Sequence, residues 1–141
     1  MEMRFVILKE KQVILQKFTG ALTYDKWLKS AEAIWKHPDY VNSYRGIVDF
    51  RGADVQMGIS EIRTIVELLT QEQGKALRAD AVILIDEPGA AAFASIYSAS
   101  VSPLLDTKIV TTEEGAAYKF GMCASVFQHL NGPDAVILVL D

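Results

Sequence analysis

Residues Ala81 to Ile85 read Ala-Val-Ile-Leu-Ile, a short uninterrupted apolar run. A run of this length with no polar parity is the pattern of a strand covered on both faces. Such a strand belongs to a sheet packed between helices. The stretch from Arg45 to Arg63 repeats the theme: strand formers Ile47, Val48 and Phe50, a polar turn punctuated by Gly52 and Gly58, then a helix with Ser60 as its expected N-cap. Strand-to-helix turns of this kind are where open α/β sheets keep their sites.

The rest of the chain fits that frame. Met3 to Leu8 and Val13 to Phe18 are β-type runs joined by Lys9-Glu10-Lys11-Gln12, a hairpin spacing, with Gly20 expected to end the second strand. Thr23 precedes a helix whose apolar residues Tyr24, Trp27, Leu28, Ala31, Ile34 and Trp35 fall on one face. His37-Pro38 stops it, since the residue before proline leaves the helical region. The helix after the third strand continues through Ile59, Ile62, Ile65, Val66 and Leu69 and is expected to end near Gly74. Asp86-Glu87-Pro88 opens an Ala/Ser-rich helix, with acids at its positive end. Lys108 to Val110 is a short fifth strand, and Thr111 with Glu114 has capping-box spacing for the next helix. Gly115 and Gly121 leave the following segment either one helix or a broken one. After the Asn131-Gly132-Pro133-Asp134 turn, Ala135 to Leu140 forms a last, wholly apolar strand.

The order is therefore β-β-α-β-α-β-α-β-α plus a terminal strand. It predicts one α/β domain over 141 residues: a mixed, mostly parallel sheet with an N-terminal antiparallel hairpin, covered by helices.

Composition removes several functions. A net charge of −4 argues against non-specific nucleic-acid binding. The one cysteine, Cys123, allows no internal disulfide and no cysteine-based metal cluster, and its place on a helical period predicts a small core residue. Pro88 to Leu105 is uncharged, but its four serines and Pro103 suit a buried helix better than a membrane span. No basic-then-apolar leader opens the chain, so cytoplasmic residence is expected.

The carboxyl edge of the parallel strands gathers Asp49, Arg51 and Asp54, then Asp86 and Glu87, then Thr111 and Thr112. Paired carboxylates there could hold Mg²⁺, yet capping and turn formation account for Asp86, Glu87 and Thr111. A phosphoacceptor receiver domain needs an acidic pair after its first strand, where this chain has Leu8-Lys9-Glu10. His37 and His129 have no partner at zinc-ligand spacing, and there is no GxSxG elbow or phosphate-binding glycine loop. No catalytic residue, cofactor or metal is expected. Trp27 and Trp35 fall on the buried stripe of the first helix, where core packing is the first expectation; the second is an apolar pocket that they line with Phe93 and Tyr97 of the small-residue helix.

The strand–helix order, the Ile-Val-Asp-Phe-Arg-Gly segment (residues 47–52), Arg78-Ala79-Asp80-Ala81-Val82-Ile83 and Thr112-Glu113-Glu114-Gly115-Ala116-Ala117 together resemble the STAS-like domains, in the branch with the SpoIIAA-like fold. The resemblance covers roughly residues 3 to 121 and rests on pattern, with no invariant motif. It implies a small cytoplasmic module that binds protein partners or apolar ligands and is not an enzyme. Anti-sigma-factor antagonists of this kind carry a phosphorylatable serine or threonine just before the helix after the third strand. Here that stretch is Met57-Gly58-Ile59-Ser60, and the serine falls one residue later. The leading expectation is a non-enzymatic protein-binding module working through Arg51, Asp54, Ser60 and Arg63. The alternative is a carrier of a small apolar or lipid-like ligand, with a hydrolase or transferase a distant third. The terminal strand is too apolar to stay uncovered, so it adds either to the sheet of its own chain or to a partner's, with a homodimer through residues 135 to 140 and intramolecular docking about equally expected.

Overall fold

The structure, a computed structural model, describes residues 1–71, 80–86, 88–101 and 106–141. Its centre is a seven-stranded mixed sheet in the order β6-β5-β3-β2-β1-β7, with β4 beside the far end of β2. The strands are β1 (Glu2–Leu8), β2 (Val13–Leu22), β3 (Arg45–Asp49), β4 (Ala53–Val55), β5 (Ala81–Leu84), β6 (Thr107–Val110) and β7 (Val136–Val139). β1 and β2 form the antiparallel hairpin anticipated from their four-residue connection. β2, β3, β5 and β6 run parallel. The helices between these parallel strands are the crossovers such pairing requires.

Among the described residues, five helical segments cover the sheet: α1 (Tyr24–Trp35), α2 (Ile59–Gln71), α3 (Pro88–Val101), α4 (Glu113–Lys119) and a 3₁₀ segment over Ala124–Asn131. The alternation along each strand sends side chains to two cores. Phe5, Ile14, Phe18, Phe50 and Ile83 meet α1, α2 and α3 on one face. Val6, Val13, Leu15, Ile47, Val82 and Leu84 meet α4 and the 3₁₀ segment on the other. All four residues of β5 are buried, as its uninterrupted apolar run requires.

Local signals place most boundaries and miss several. α1 begins after Thr23 and ends at Trp35, as read from the sequence. Gly58 rather than Ser60 sits at the head of α2: Ile62 N–H donates to the Gly58 carbonyl and Glu61 Oε1 accepts from Gly58 N–H at 2.9 Å. Ser60 already lies in the first turn. Thr112, one residue after the expected Thr111, caps α4 and accepts from Gly115 N–H at 3.0 Å. The tail helix is broken, because Gly121 takes φ +70° between α4 and the 3₁₀ segment. That break turns Cys123 out to solvent, against the expectation of a core residue. The expected helix end at Gly74, the Arg78-Ala79 pair, Glu87, Pro103 and Leu105 lie outside the described residues. Among the described residues no helix is long and apolar enough to cross a membrane.

Two corrections bear on the site edge. β2 does not stop at Gly20. It continues to Leu22 and changes partner, pairing with β3 through Lys17 and with β4 from Gly20 onward. The connection after β3, read from its glycines as an open loop, therefore contains β4. β3 and β4 form one line beside β2, interrupted by a tight turn at Phe50–Gly52, where Gly52 adopts φ +87°. Gly20 N–H donates to the Gly52 carbonyl and Gln56 N–H to the Leu22 carbonyl, closing the turn from both ends. Amide exchange measures this directly. Asp54 to Gln56 exchange more slowly than Met57 to Ile59, which precede the helix; equal rates would contradict the β2–β4 pairing.

Candidate functional site

The two faces of the sheet carry two different sites. On the face covered by α1, α2 and α3, the strands present Ile14, Gln16 and Phe18 from β2, Gly46, Val48 and Phe50 from β3, and Ala81 and Ile83 from β5. In register, Ile14 lies beside Gly46, and Gly46 beside Ala81. Two adjacent positions of this row, Gly46 and Ala81, thus carry little or no side chain. A Cβ added at Gly46 would meet nothing within 4 Å. The helices bridge over this gap and leave a cavity of about 120 Å³.

The cavity wall is aromatic. Trp27 and Trp35 come from α1, Phe93 and Tyr97 from α3, and Tyr40 and Tyr44 from the connection between α1 and β3. Phe18 stacks on Phe50 at 5.4 Å between centroids, Phe50 meets Phe93 edge-on at 5.2 Å, and Phe93 stacks on Tyr97 at 6.3 Å. Burial pushes the Tyr97 hydroxyl up to about 12, so it stays protonated at neutral pH. All four residues read from the sequence as an apolar pocket, Trp27, Trp35, Phe93 and Tyr97, line this one cavity. Gln16, Gly46, Tyr40 and Tyr44 were not anticipated. The signal for Gln16 was present: it shares strand parity with Ile14 and Phe18, so a polar residue interrupts an inward-facing row.

The opposite face carries charge. Asp49 ends β3 and is only 1% exposed. Its Oδ1 accepts from the backbone N–H and Nε of Arg51, each at 2.9 Å, and its Oδ2 accepts from Arg51 Nη2 at 2.8 Å. Lys17, its register partner on β2, donates to Oδ2 at 3.1 Å. Arg51 Nη2 also reaches Glu113 Oε2 at 2.7 Å, tying the turn to the first residue of α4. Burial alone would raise the Asp49 carboxyl. The hydrogen bonds from Arg51 and Lys17 outweigh it and hold the group below the usual carboxylate range. The same bond to Asp49 raises the Arg51 guanidinium. A cleft of about 330 Å³ opens beside the cluster, bordered also by Glu2, Arg4 and Asn131. There Arg4 donates to Glu2 and Asn131, each at 3.0 Å. The charges of this cluster neutralise one another.

The four residues read as a working rim are not gathered at one point. Arg51 turns toward α4. Asp54 is exposed on β4 and accepts from Gln56 Nε2 at 2.8 Å. Ser60 and Arg63 are exposed on α2, which packs on the opposite sheet face from α4. Asp86 is exposed, and the Asp49 carboxylate is already filled by cationic donors. Compared with known protein families, curated proteins and solved structures, the chain shows no match.

The Asp49 cluster makes a pH prediction. A carboxylate whose folded pKa is depressed stabilises the fold above its unfolded pKa, near 4, and loses that contribution as pH falls through the lower folded value. Asp49→Asn costs about 2–3 kcal/mol at pH 7, since it removes charge-assisted hydrogen bonds from a buried site. Urea unfolding from pH 7 to pH 2 is the check: the wild-type advantage over Asp49→Asn persists above pH 5 and shrinks steadily below pH 4.

Proposed function

We propose that this chain is a non-enzymatic, cytoplasmic, STAS-like binding module that carries a small apolar ligand in the cavity under α1, α2 and α3. The observation behind this reading is the void itself. An aromatic-walled space is kept open by a glycine in a central strand, where a larger side chain has room to fit. A central-strand glycine costs about 0.5–1 kcal/mol relative to alanine, and an unfilled apolar void costs more. Keeping both is intelligible if the space is occupied. Apolar cavities of about 150 Å³ admit benzene, which sets the scale of the ligand at a single ring. Rings and aliphatic groups dominate the described wall, which includes no charged side chain, histidine or cysteine, a surface suited to holding a molecule.

The protein-contact reading through Arg51, Asp54, Ser60 and Arg63 has less behind it, because the guanidinium of Arg51 is committed to Asp49 and Glu113.

Two measurements test the cavity. Toluene added to the protein shifts backbone amide resonances of β2, β3, α1 and α3; a spectrum unchanged by both toluene and phenol at saturation refutes the proposal. Gly46→Val fills the space from the strand side. It abolishes the toluene response and stabilises the protein by about 1 kcal/mol, roughly 3 °C in Tm.

A second copy of the chain is the partner that β7 favours. β7 pairs antiparallel with β1 of its own chain and forms one border of the sheet. Val136 and Leu138 face the core, while Ile137 and Val139 are 51% and 71% exposed. An apolar edge with unpaired backbone groups is a template for strand addition. Antiparallel β7–β7 pairing across a two-fold axis would satisfy both copies alike. Sedimentation then gives a dimer for the wild type and a monomer for the Ile137→Lys, Val139→Lys double variant. Equal behaviour of the two proteins, monomer or dimer, excludes β7 as the interface.

A further inference from the structure

Among the described residues, the strands contribute one polar side chain to the cavity wall, Gln16. Gln16 lies in the middle of β2 on the face that meets α1, α2 and α3, between Ile14 and Phe18 along the strand. Phe5 and Val48 are its register neighbours on either side. Its amide makes no hydrogen bond to the described residues. A primary amide brings two donors and an acceptor, and a sheet interior lacks partners for them unless something else supplies them. Gln16 is half-buried, and its register neighbours Phe5 and Val48 offer it no polar side-chain atom, so a partner reaches the amide from the cavity. The space beside it is of single-ring size.

The described lining residues include no charged side chain. Among the described residues a charged ligand would meet no counter-ion there, which a low-dielectric site penalises heavily. An uncharged hydroxyl or carbonyl, by contrast, is matched by the amide, which both donates and accepts.

Resting on the carrier reading above, we propose that the ligand is a neutral single-ring compound bearing one hydroxyl or carbonyl group, its ring against the aromatic wall and its polar group hydrogen-bonded to Gln16. Gln16 is then the specificity residue. It selects phenol-like molecules over pure hydrocarbons, the reverse of what a dry apolar void prefers. A site built to bond a hydroxyl discriminates against the analogue lacking it, because its own polar group is then left unpaired.

The test is a set of amide-resonance titrations at pH 7 with phenol, toluene and benzoate. Phenol binds at least tenfold more tightly than toluene, and benzoate gives no saturable response. Gln16→Leu brings phenol and toluene within threefold of each other; its spectrum and Tm report whether it is folded, and the wild-type ratio decides the question without it. If toluene binds and phenol binds no better, this inference fails while the carrier reading stands. Benzoate binding as tightly as phenol overturns the requirement for a neutral ligand. A phenol preference that survives in folded Gln16→Leu removes Gln16 from the site. If neither phenol nor toluene binds, the inference and the carrier reading fail together.

Discussion

The carboxylate of Asp49 holds together the part of the sheet where the chain changes direction. Buried at the end of β3, it takes three hydrogen bonds from Arg51 and one from Lys17. Those bonds fix the Phe50–Gly52 turn, and the turn sets β4 beside β2. Arg51 then extends the constraint to α4 through Glu113. A buried charge is an expensive way to build a turn, and removing one partner of such a pair is more damaging than never having had it. What the arrangement adds is definition. Phe50 is delivered to the opposite face, where it stands between Phe18 and Phe93 in the wall of the cavity. The charged cluster on one side of the sheet and the aromatic wall on the other are consecutive residues of one short segment.

The two faces divide the labour by side-chain size. On the face of α4 and the 3₁₀ segment, Leu15, Ile47, Val82 and Leu84 are fully buried in one cluster. On the other face the neighbouring positions Gly46 and Ala81 leave the sheet with little side-chain bulk beneath the longer helices. Close packing is the normal state of a protein interior. A departure confined to one row and ringed by aromatics is a local property of that face rather than general looseness.

Periodicity carried much of this in the sequence and fell short where periods do not exist. The stripe on α1 and the large residues of α3 put Trp27, Trp35, Phe93 and Tyr97 on inward faces, since side chains on one helical face share a neighbour, but did not separate a packed core from a pocket. β4 was not legible. Ala-Asp-Val is too short to show an alternation, and its pairing depends on β2 outlasting β3 by several residues. The role of Asp49 was hidden for a related reason: Asp-Phe-Arg-Gly reads as an exposed charged turn until the strand before it is known to be central. Cys123 was misplaced because the helical period was carried across Gly121, where the backbone breaks. The rim of Arg51, Asp54, Ser60 and Arg63 was assembled from closeness in sequence, whereas the turn sends Arg51 toward one layer and Ser60 and Arg63 toward the other.

The place of β7 has a consequence for the order in which the molecule can be assembled. β1 is the first strand made, yet one of its two sheet neighbours is the last, and the Met1 amino group bonds the Leu140 carbonyl across 139 positions of chain. Synthesis proceeds at about 5–20 residues per second, so the flank of β1 stays uncovered for several seconds on the ribosome. During that interval β1, β2 and the parallel strands can form, but Met3 and Phe5 border an open edge. Final closure is a non-local step, of the kind that loop-closure entropy slows. The nascent chain is therefore most exposed to misassociation just before residues 136–139 leave the exit tunnel, when nearly all of the fold exists and its border does not.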